Sequence, residues 1–542
     1  MRITVSDKLG RCALIAGVLV AASCLQGCSD DEGGPTDPGA GGAATAITVS
    51  DMVFNPKSPT PGDTMIVTAV VTSGSLNVGN FVTYAWSATG GTFLETDKSS
   101  VRWVAPDTTS GTLFDLTVQA ANNVSNASLT KAALVNRLTT LVDFGAGEIH
   151  PTSTGGLIYY LSPFSSQTPV LGFEIRSNDA GVDVPANGGR VGFQYRFDQA
   201  VLQAVHVERQ FFFPAEVLLQ VYHDDLTTGV SLPLPTPPLG ARVPQLSEPD
   251  FSPDGQLITY QALLPDQINP PAQGGVDTFE VFVFDIGTQQ ASRVTSTLLN
   301  FHSSFSSDGS RLVFMSDTTG GLGDWELYSL PVVAGVVAPG PLTQLSSTGG
   351  AIGDGTPPSI GQRAWNNNPG DPILAIVDSN DKLNLVRADG SPSLVVAVAD
   401  GVTDFVWTSA GDRLAMTTRV ANPPPGGNIY VVSTDASAQV IHSVVVGDNV
   451  SRLSWSPNGE FLVYNVVRST DSWYELIDVA GTTGLPGPVR ISAAVNPGNA
   501  SDFGDLLEIR PAWLPNTPTA FLLFFDAQTP RLSTLGLSGL TP

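Results

Sequence analysis

The histidines are the side chains of this chain best suited to metal or acid–base chemistry, and there are five of them: His150, His206, His223, His302 and His442. None belongs to an H-x-H or H-E-x-x-H pair, the local spacings that bring two imidazoles to one metal ion. His150 and His302 each precede a turn that recurs along the chain, so they are candidate metal ligands. The alternative is that they cap strands through hydrogen bonds, because comparable positions carry Glu248, Thr403 and Ser451.

Two other kinds of chemistry can be weighed from motifs. The segment SDTTGGLGDW at Ser316–Trp325 could offer carboxylates and carbonyls to Ca²⁺, although it lacks the D-x-D-x-D-G spacing of an EF-hand loop. No G-x-S-x-G motif occurs, so the nucleophile elbow of an α/β-hydrolase is not expected. The sequence therefore predicts no cofactor, with Ca²⁺ left open.

A short turn motif recurs along the chain and indicates its architecture. It reads SPDG at Ser252–Gly255, SSDG at Ser306–Gly309 and SPNG at Ser456–Gly459. Such a series specifies a tight turn, because Gly accepts positive φ. A structural role in these turns is therefore predicted for Asp254, Gly255, Asp308, Gly309, Asn458 and Gly459. Two apolar runs follow each turn, and hairpins repeated at intervals of roughly 40–60 residues are typical of β-propellers.

The repeats can be aligned from about residue 138 to residue 542 as eight candidate units. The clear ones span 248–295, 300–346, 402–445 and 449–495, and the weaker ones span 148–186, 189–232, 355–399 and 508–542. A closed ring removes free sheet edges, so we predict a propeller of seven or eight blades. Closure needs a strand from the other end of this domain. We expect Thr139–Phe144 to pair as the outer strand of the blade that contains Phe521–Phe525.

These repeats resemble the propeller of TolB and its relatives, in which an aromatic residue precedes the SPDG turn and a strand of the form I-Y-x-x-D follows. The matching aromatic residues are Phe251, Phe305, Trp407, Trp455 and Trp513, and the matching tyrosines are Tyr328, Tyr430 and Tyr474. The resemblance implies a fold and not the role of TolB, because TolB carries an α/β domain ahead of its blades.

Residues 47–137 read as a separate domain of short alternating strands with frequent turn residues. The pattern from Trp86 through Gly90-Gly91 and Trp103 to Pro106 resembles bacterial immunoglobulin-like and PKD domains of secreted proteins. The resemblance implies a spacer or adhesion module with Trp86 in its core, ligand stacking by Trp86 being the alternative. The predicted fold class is therefore all-β: an immunoglobulin-like sandwich followed by a propeller.

Residues 1–27 resemble a lipoprotein signal peptide. Basic residues precede the apolar stretch Cys12–Ser23, and Leu25–Cys28 (LQGC) resembles a lipobox. The resemblance implies cleavage before Cys28 and lipidation of its thiol. The alternative is an ordinary signal peptide with an incidental cysteine.

Residues 28–46 are rich in Gly, Pro and Asp and predict a flexible tether between the lipid and the folded domains. Ser29 follows the cysteine where an aspartate would signal retention at the inner membrane, so the resemblance implies the outer membrane. The periplasmic and the exterior side both remain open.

The formal net charge is −25, from 50 acidic and 25 basic side chains. A chain of this charge repels the phosphates of nucleic acid, and no cluster of Lys and Arg offers an exception. The expected partners are the membrane, through the lipid, and a protein or a polysaccharide. The predicted function is a cell-envelope binding or scaffold protein. The alternatives are a polysaccharide lyase or hydrolase acting in the funnel of the propeller, and a purely structural envelope component.

The lipid anchor can be tested by changing Cys28→Ser. The variant should leave the membrane fraction, because stable attachment takes more than one acyl chain and the variant accepts none. Fractionation followed by a salt wash measures this, and Cys24→Ser, ahead of the predicted cleavage site, is the matched control. A Cys28→Ser protein that stays in the washed membranes would contradict the prediction.

Overall fold

The computed structural model describes only part of the chain. The described residues are 46–55, 59–73, 82–108, 112–135, 138–142, 149–151, 157–163, 173–179, 182–186, 190–198, 201–212, 216–235, 249–264, 278–295, 299–317, 325–338, 342–346, 364–378, 380–398, 401–419, 427–444, 448–467, 472–481, 487–491, 511–513, 521–526 and 531–536. The chain divides into two compact units, Met1–Ala44 and Thr45–Pro542. The predicted signal peptide and Cys28 lie outside the described residues. Within the described part, no helix is long and apolar enough to cross a membrane.

The first seven strands form two antiparallel sheets. They are β1 (Ile47–Asn55), β2 (Thr64–Ser73), β3 (Thr83–Ala88), β4 (Thr92–Phe93), β5 (Ser100–Val104), β6 (Thr112–Ala121) and β7 (Asn126–Val135). One sheet has the order β1-β2-β5-β4 and the other the order β3-β6-β7. Apolar residues alternate with polar ones along these strands, so each sheet turns one apolar face towards the other.

The core between these sheets is built around two tryptophans. Trp86 is buried, as predicted, and Trp103 is fully buried. Both indoles keep a partner, because Trp86 Nε1 donates to the Lys98 carbonyl at 2.8 Å and Trp103 Nε1 to the Gly90 carbonyl at 3.0 Å. Gly91 has φ of 72°, and a Cβ there would lie 2.6 Å from the Trp103 ring. Gly91 is therefore needed for the backbone to pass beside Trp103, and a Cβ at Gly90 would clash with the Phe114 ring.

The remaining strands follow in chain order. They are β8 (Leu138–Val142), β9 (Ile149–Pro151), β10 (Leu157–Pro163), β11 (Phe173–Asp179), β12 (Val182–Pro185), β13 (Val191–Phe197), β14 (Gln203–Phe212), β15 (Glu216–Asp225), β16 (Val230–Pro233), β17 (Asp250–Phe251), β18 (Leu257–Leu264), β19 (Thr278–Asp285), β20 (Gln290–Arg293), β21 (Leu299–Phe305), β22 (Arg311–Asp317), β23 (Trp325–Val333), β24 (Val336–Val337), β25 (Thr343–Gln344), β26 (Ile373–Val377), β27 (Leu383–Arg387), β28 (Leu394–Val395), β29 (Gly401–Trp407), β30 (Arg413–Arg419), β31 (Gly427–Ser433), β32 (Ala438–Val444), β33 (Asn449–Trp455), β34 (Phe461–Val467), β35 (Ser472–Asp478), β36 (Val489–Arg490), β37 (Ala512–Trp513), β38 (Phe521–Asp526) and β39 (Arg531–Gly536).

Most of these strands form small antiparallel meanders. The sheets have the orders β17-β18-β19-β20, β21-β22-β23-β24 with β25 also on β23, β26-β27-β28, β29-β30-β31-β32 and β33-β34-β35-β36. An isolated bridge between Trp365 and Leu374 stands in for the first strand of the β26–β28 sheet. A succession of such meanders is the blade pattern of a β-propeller. The fold class is all-β, in agreement with the sequence.

The two repeats with the weakest sequence pattern, 148–186 and 189–232, differ from the expectation of separate units. Their strands share one eight-stranded sheet of order β16-β15-β14-β13-β11-β10-β9, with β12 on β11. The reason is the shortness of β12, which pairs only with Arg176–Asp179 of β11. Phe173 and Glu174 of β11 pair instead with β13.

The predicted ring closure is present as a backbone pairing between distant parts of the chain. Strand β8 forms the outer strand of the sheet β37-β38-β39-β8. Its register joins Leu138 to Leu535 and Val142 to Leu532. The described pairing covers Leu138–Val142, and residues 143 and 144 of the predicted segment Thr139–Phe144 lie outside the described residues.

In five of the described hairpin turns, a side-chain oxygen at the first position accepts the backbone N–H that begins the second strand. The hydroxyls of Ser252, Ser306 and Ser456 do so at 2.9 to 3.0 Å. Where the sequence lacks the Ser-Pro-Asp-Gly pattern, Asn366 and Asp198 take the same place at 2.9 and 2.8 Å. The recurring turn is thus defined by an acceptor at its first position, which any of these polar residues can supply.

The aromatic residue before each turn contacts the preceding sheet. The indole N–H of Trp365 donates to the Ser304 hydroxyl at 3.2 Å. The indoles of Trp407, Trp455 and Trp513 donate to backbone carbonyls of the preceding repeat at 3.0, 3.2 and 3.4 Å. These tryptophans combine a large buried area with one directed hydrogen bond between neighbouring sheets.

The sandwich packs against the propeller-like sheets. Leu134 of β7 is buried in a cluster with Phe461, Leu476 and Trp513, and Leu113 of β6 packs against the same cluster. The contacted residues belong to the β33–β36 sheet and to the sheet that holds the closing strand. Sandwich and ring closure therefore share one apolar junction.

A Leu134→Ala variant tests this junction. It should lower the free energy of unfolding by about 2–5 kcal/mol, because it leaves a cavity among buried side chains. The control is Val70→Ala, on the exposed face of β2, which should change stability by no more than about 0.5 kcal/mol. Thermal unfolding followed by circular dichroism measures both, and equal melting temperatures for the two variants would contradict the packing role of Leu134.

Candidate functional site

The connections between strands fall at two ends of the propeller-like sheets. Links from first to second and from third to fourth strands share one end, the turn end, because neighbouring strands are antiparallel. All other links share the opposite end, the connection end. Turn-end links are short, such as 252–256 and 286–289, and the longest of them is 479–488. The longest links between described strands are 234–249, 265–277, 345–364 (up to the Trp365 bridge) and 491–511, and all of them belong to the connection end.

The sandwich enters this arrangement at the turn end. Strand β7 ends at Val135 and β8 begins at Leu138, which pairs with Leu535 near the end of β39. The end of β39 is a turn end, since β39 is the third strand of its sheet. The connection end is therefore the end of the sheets opposite the chain's entry from the sandwich.

The first strands of three sheets carry a bulge. The register shifts between Phe301 and Ser304 in β21, between Ser451 and Ser454 in β33, and between Val402 and Asp404 in β29. In β21 and β33 the bulge holds a non-glycine residue at positive φ, His302 at 46° and Arg452 at 58°. Bulges re-aim side chains, and backbone of this kind is concentrated at functional sites.

His302 and Arg452 occupy equivalent positions. Each stands four residues before the serine that caps the following turn, Ser306 or Ser456. Of these two positions the sequence singled out only His302, and it took Ser451 as the counterpart in the other repeat. The shared spacing is the signal that could have found Arg452. The two bulges place a histidine and an arginine at matching points of two first strands.

The bulged edges of β29 and β33 are linked and partly exposed. Asp404 accepts the N–H of Phe405 on Oδ1 at 2.9 Å and the N–H of Leu453 in β33 on Oδ2 at 3.1 Å. Thr403 beside it is exposed, with its hydroxyl 2.9 Å from that of Thr417. Ser451, like Arg452, is half-buried. These polar side chains at the first-strand edges are the candidate binding residues.

The candidate metal ligands are not brought together by described atoms. His302 is 5% exposed, and its ring centroid lies 6.2 Å from that of Phe301. His150 belongs to β9, opposite Tyr159 of β10, and its side chain lies outside the description. In the described part of the chain, no group of three His, Cys, Asp or Glu is arranged to hold a metal ion. The metal pair and the Ca²⁺ segment, of which 318–324 lie outside the described residues, stay predictions.

The turn residues singled out in the sequence lie at the turn end. Asp254 Oδ1 accepts the Ser252 hydroxyl at 2.5 Å and the Gln256 N–H at 3.1 Å. Gly255, Gly309 and Gly459 have φ of 67°, 69° and 72°. Burial raises the pKa of Asp308, but hydrogen bonds from its serine neighbours more than reverse this and hold the pKa below its usual range. All these contacts are internal to the turns.

Two buried glutamates on third strands accept hydrogen bonds from hydroxyls that lie just after the last strand of the same sheet. The Thr295 hydroxyl donates to Glu280, and the Ser346 hydroxyl donates to Glu326. Each hydroxyl also accepts the backbone N–H of the residue after its glutamate, at 2.9 and 2.8 Å. The signal in the sequence is an acid at the same place in FEVFV and WELYS. These carboxylates are therefore part of the blade structure.

A group of charged side chains surrounds the buried ring of His206. His206 Nδ1 lies 2.7 Å from Asp224 Oδ2, and its Nε2 lies 3.1 Å from Glu208 Oε1. Arg190 donates to both oxygens of Glu208, at 2.6 and 2.9 Å. The ring of His206 is fully buried, which closes it to any substrate. This group could not be predicted from residue spacing, because its members come from neighbouring strands.

A cleft of about 330 Å³ lies at the junction of the sandwich with the β33–β36 sheet. Its lining includes Asp51 and Lys131 of the sandwich, 2.9 Å apart, and Glu475 and Arg490 of the sheet. Lys131 also donates to the Met52 carbonyl at 2.8 Å. The side chains of this pair cover backbone groups of β1, which is the outer strand of its sheet and would otherwise offer a free edge.

No family model and no curated protein matches the sequence. Similar solved structures include dipeptidyl peptidase 4 of Porphyromonas gingivalis, at 13% identity and TM-score 0.47, with 73% of this chain and 59% of that one covered. An oligogalacturonate lyase in complex with manganese has 12% identity and TM-score 0.43, with 74% and 93% covered. The lyase of Vibrio parahaemolyticus has 11% identity and TM-score 0.43, with 80% and 100% covered. These neighbours are β-propeller proteins.

The Asp404 link between β29 and β33 yields a prediction. Asp404→Ala should lower the free energy of unfolding by about 1–3 kcal/mol, because it leaves backbone N–H groups without their acceptor. Asp435→Ala on the fully exposed turn after β31 is the control and should be nearly neutral. Urea unfolding measures both, and an Asp404→Ala midpoint equal to that of the control would show that Leu453 does not depend on this carboxylate.

Proposed function

We propose that this chain is a lipid-anchored protein of the outer membrane that binds a protein or a polysaccharide with the connection end of its propeller. In this proposal the sandwich is an immunoglobulin-like domain that carries the propeller, and the tether joins both to the lipid on Cys28. The proposal covers binding and scaffolding and assigns no reaction.

The observation that supports it best is the difference between the two ends of the sheets. The turn end is closed by hydrogen-bonded turns, such as the one capped by Ser252, and it receives the chain from the sandwich. The connection end carries the longest links between described strands. Binding residues are concentrated on variable connections held by a rigid scaffold, so the connection end is the better binding surface.

The net charge of the chain limits the chemical classes of partner that it can bind. A net charge of −25 disfavours polyanions such as nucleic acid. Thr403 and Ser451 on the first-strand edges offer hydroxyls, and Arg452 adds a guanidinium, which suits the carbonyls and hydroxyls of peptides and sugars. These side chains favour recognition by hydrogen bonds.

The alternative, a polysaccharide lyase or hydrolase acting in the funnel, depends on His150 meeting His302. His302 is buried beside Phe301, and among the described residues no group of three His, Cys, Asp or Glu is arranged to hold a metal ion. This alternative stays a prediction, to be decided by activity on anionic and neutral polysaccharides.

The proposal is tested with variants at the two ends of one strand, β29. Thr403→Arg places a bulky charge near the connection end, and Ser409→Arg places the same charge on the exposed turn just after β29. Binding of the full chain is measured on a glycan array and by pull-down from outer-membrane fractions. Thr403→Arg should weaken the binding found for the native chain by about tenfold or more, which is about 1.4 kcal/mol, and Ser409→Arg should not.

A loss of binding in Ser409→Arg with none in Thr403→Arg would move the site to the turn end and contradict the proposal. Absence of binding by the native chain in both assays would contradict it as well.

A further inference from the structure

The His206 cluster, defined as His206 with Asp224, Glu208 and Arg190, is a set of four charged side chains inside the eight-stranded sheet. The side chains of His206 and Asp224 are fully buried, and that of Glu208 is 12% exposed. Arg190, at 36%, is the most exposed of the four. The cluster cannot touch a partner with its imidazole, so its effect must act on the fold.

Both nitrogens of His206 face carboxylates, Asp224 at 2.7 Å and Glu208 at 3.1 Å. An ionised carboxylate only accepts hydrogen bonds, so both nitrogens must carry a proton for both bonds to form. The geometry therefore fits an imidazolium. Asp224 depends on it, because its second oxygen, Oδ1, is buried without a hydrogen-bond partner among the described residues.

Two tyrosines hold the ring from above and below. The ring of His206 stacks on Tyr195 of β13 at 4.8 Å between centroids and on Tyr222 of β15 at 5.5 Å. The guanidinium carbon of Arg190 lies 3.9 Å from the centroid of the Tyr222 ring. Aromatic faces attract cations, so this stack also favours the charged form of His206. Tyr195, Glu208, Tyr222, Asp224 and Arg190 are the titratable or charged groups that these elements direct at the ring.

We propose that protonated His206 locks strands β13, β14 and β15 together, and that loss of its proton at alkaline pH loosens this part of the sheet. A neutral imidazole has one N–H, so one of the two carboxylates loses its donor and faces a nitrogen lone pair. Asp224 is the more deeply buried and the nearer of the two, and it keeps the N–H. Glu208 then loses its hydrogen bond from His206 and keeps those from Arg190.

The pKa directions agree with this geometry. Burial lowers the pKa of His206, but the charges and hydrogen bonds of Asp224 and Glu208 more than reverse this and raise it above its ordinary value of 6.5. Burial raises the pKa of Glu208, and the bonds from His206 and Arg190 more than reverse this and lower it below 4.5.

The sign of the pH dependence follows from linkage. The contribution of His206 is fully present below pH 6.5 and is lost as pH rises through its raised folded pKa. The contribution of Glu208 is present above pH 4.5 and is lost as pH falls through its lowered folded pKa. The lock is strongest between these limits.

Hydrogen exchange of the full chain tests the lock. Amide protection in peptides covering 203–225, corrected for the intrinsic exchange rate, is measured from about pH 6 to about pH 9.5. Between the ordinary and the raised pKa of His206, protection should fall by up to about tenfold per pH unit. Peptides covering 413–433, in a sheet without such a cluster among its described residues, should not show this fall. Flat protection in 203–225 over the whole range would overturn the proposal.

Two variants separate a titrating lock from a merely structural contact. Glu208→Gln keeps the shape but removes one carboxylate, so the pH at which protection is lost should move down towards 6.5, the ordinary pKa of histidine. His206→Gln should be less protected and should have no pH-dependent loss in this range. His442→Gln removes a half-buried histidine elsewhere and should leave the profile of 203–225 unchanged. An unshifted midpoint in Glu208→Gln would overturn the proposal even if His206→Gln fails to fold.

Discussion

The pairing of β8 with β39 is the constraint on which the rest of the propeller depends. It joins residue 138 to residue 535 by backbone hydrogen bonds, so the last sheet is completed by the strand that leaves the sandwich. Without β8, strand β39 would present a free edge at the seam. The apolar cluster around Leu134 and Trp513 lies beside this seam, so sandwich docking and closure support one another. Closure can form only when segments far apart in the chain meet, so it carries a large loop-closure entropy cost.

Between neighbouring sheets, the contacts are made by side chains instead of backbone ladders. The indoles of Trp407 and Trp455 reach back to the preceding repeat, and Asp404 accepts an N–H from the following one. Each buried polar atom of this kind is stable only while it has its partner, so the interior is specified by hydrogen bonds as well as by packing. The His206 cluster is the extreme case, in which four charges balance inside a single sheet.

The sequence predicted the all-β class, the sandwich core at Trp86 and the closing strand, because these depend on local alternation, turn chemistry and the need to remove an edge. It did not predict the merged sheet of the two weakest repeats, since the pairing of β11 with β13 follows from the length of β12 and not from any motif. The His206 cluster was missed for a related reason: its members are adjacent only across strands. In the candidate site, the place of His302 before a turn made it a candidate ligand. Arg452 has the same place in another repeat, but the sequence comparison pointed to the neighbouring Ser451.

The two ends of the sheets separate stability from recognition. At the turn end, capping oxygens such as Ser306 Oγ and Asn366 Oδ1 satisfy the backbone, and the sandwich adds its apolar junction. These turns need a side-chain acceptor at the first position, which Ser, Asn or Asp supplies. At the connection end, Thr295 and Ser346 bond to buried glutamates directly after the last strands of their sheets. Beyond such residues, a change in the length of a link between blades costs the closed ring little entropy. The bulges of β21 and β33 lie within the first strands that connect these two ends, which lets a rigid, edge-free frame carry polar side chains that the blade core does not need.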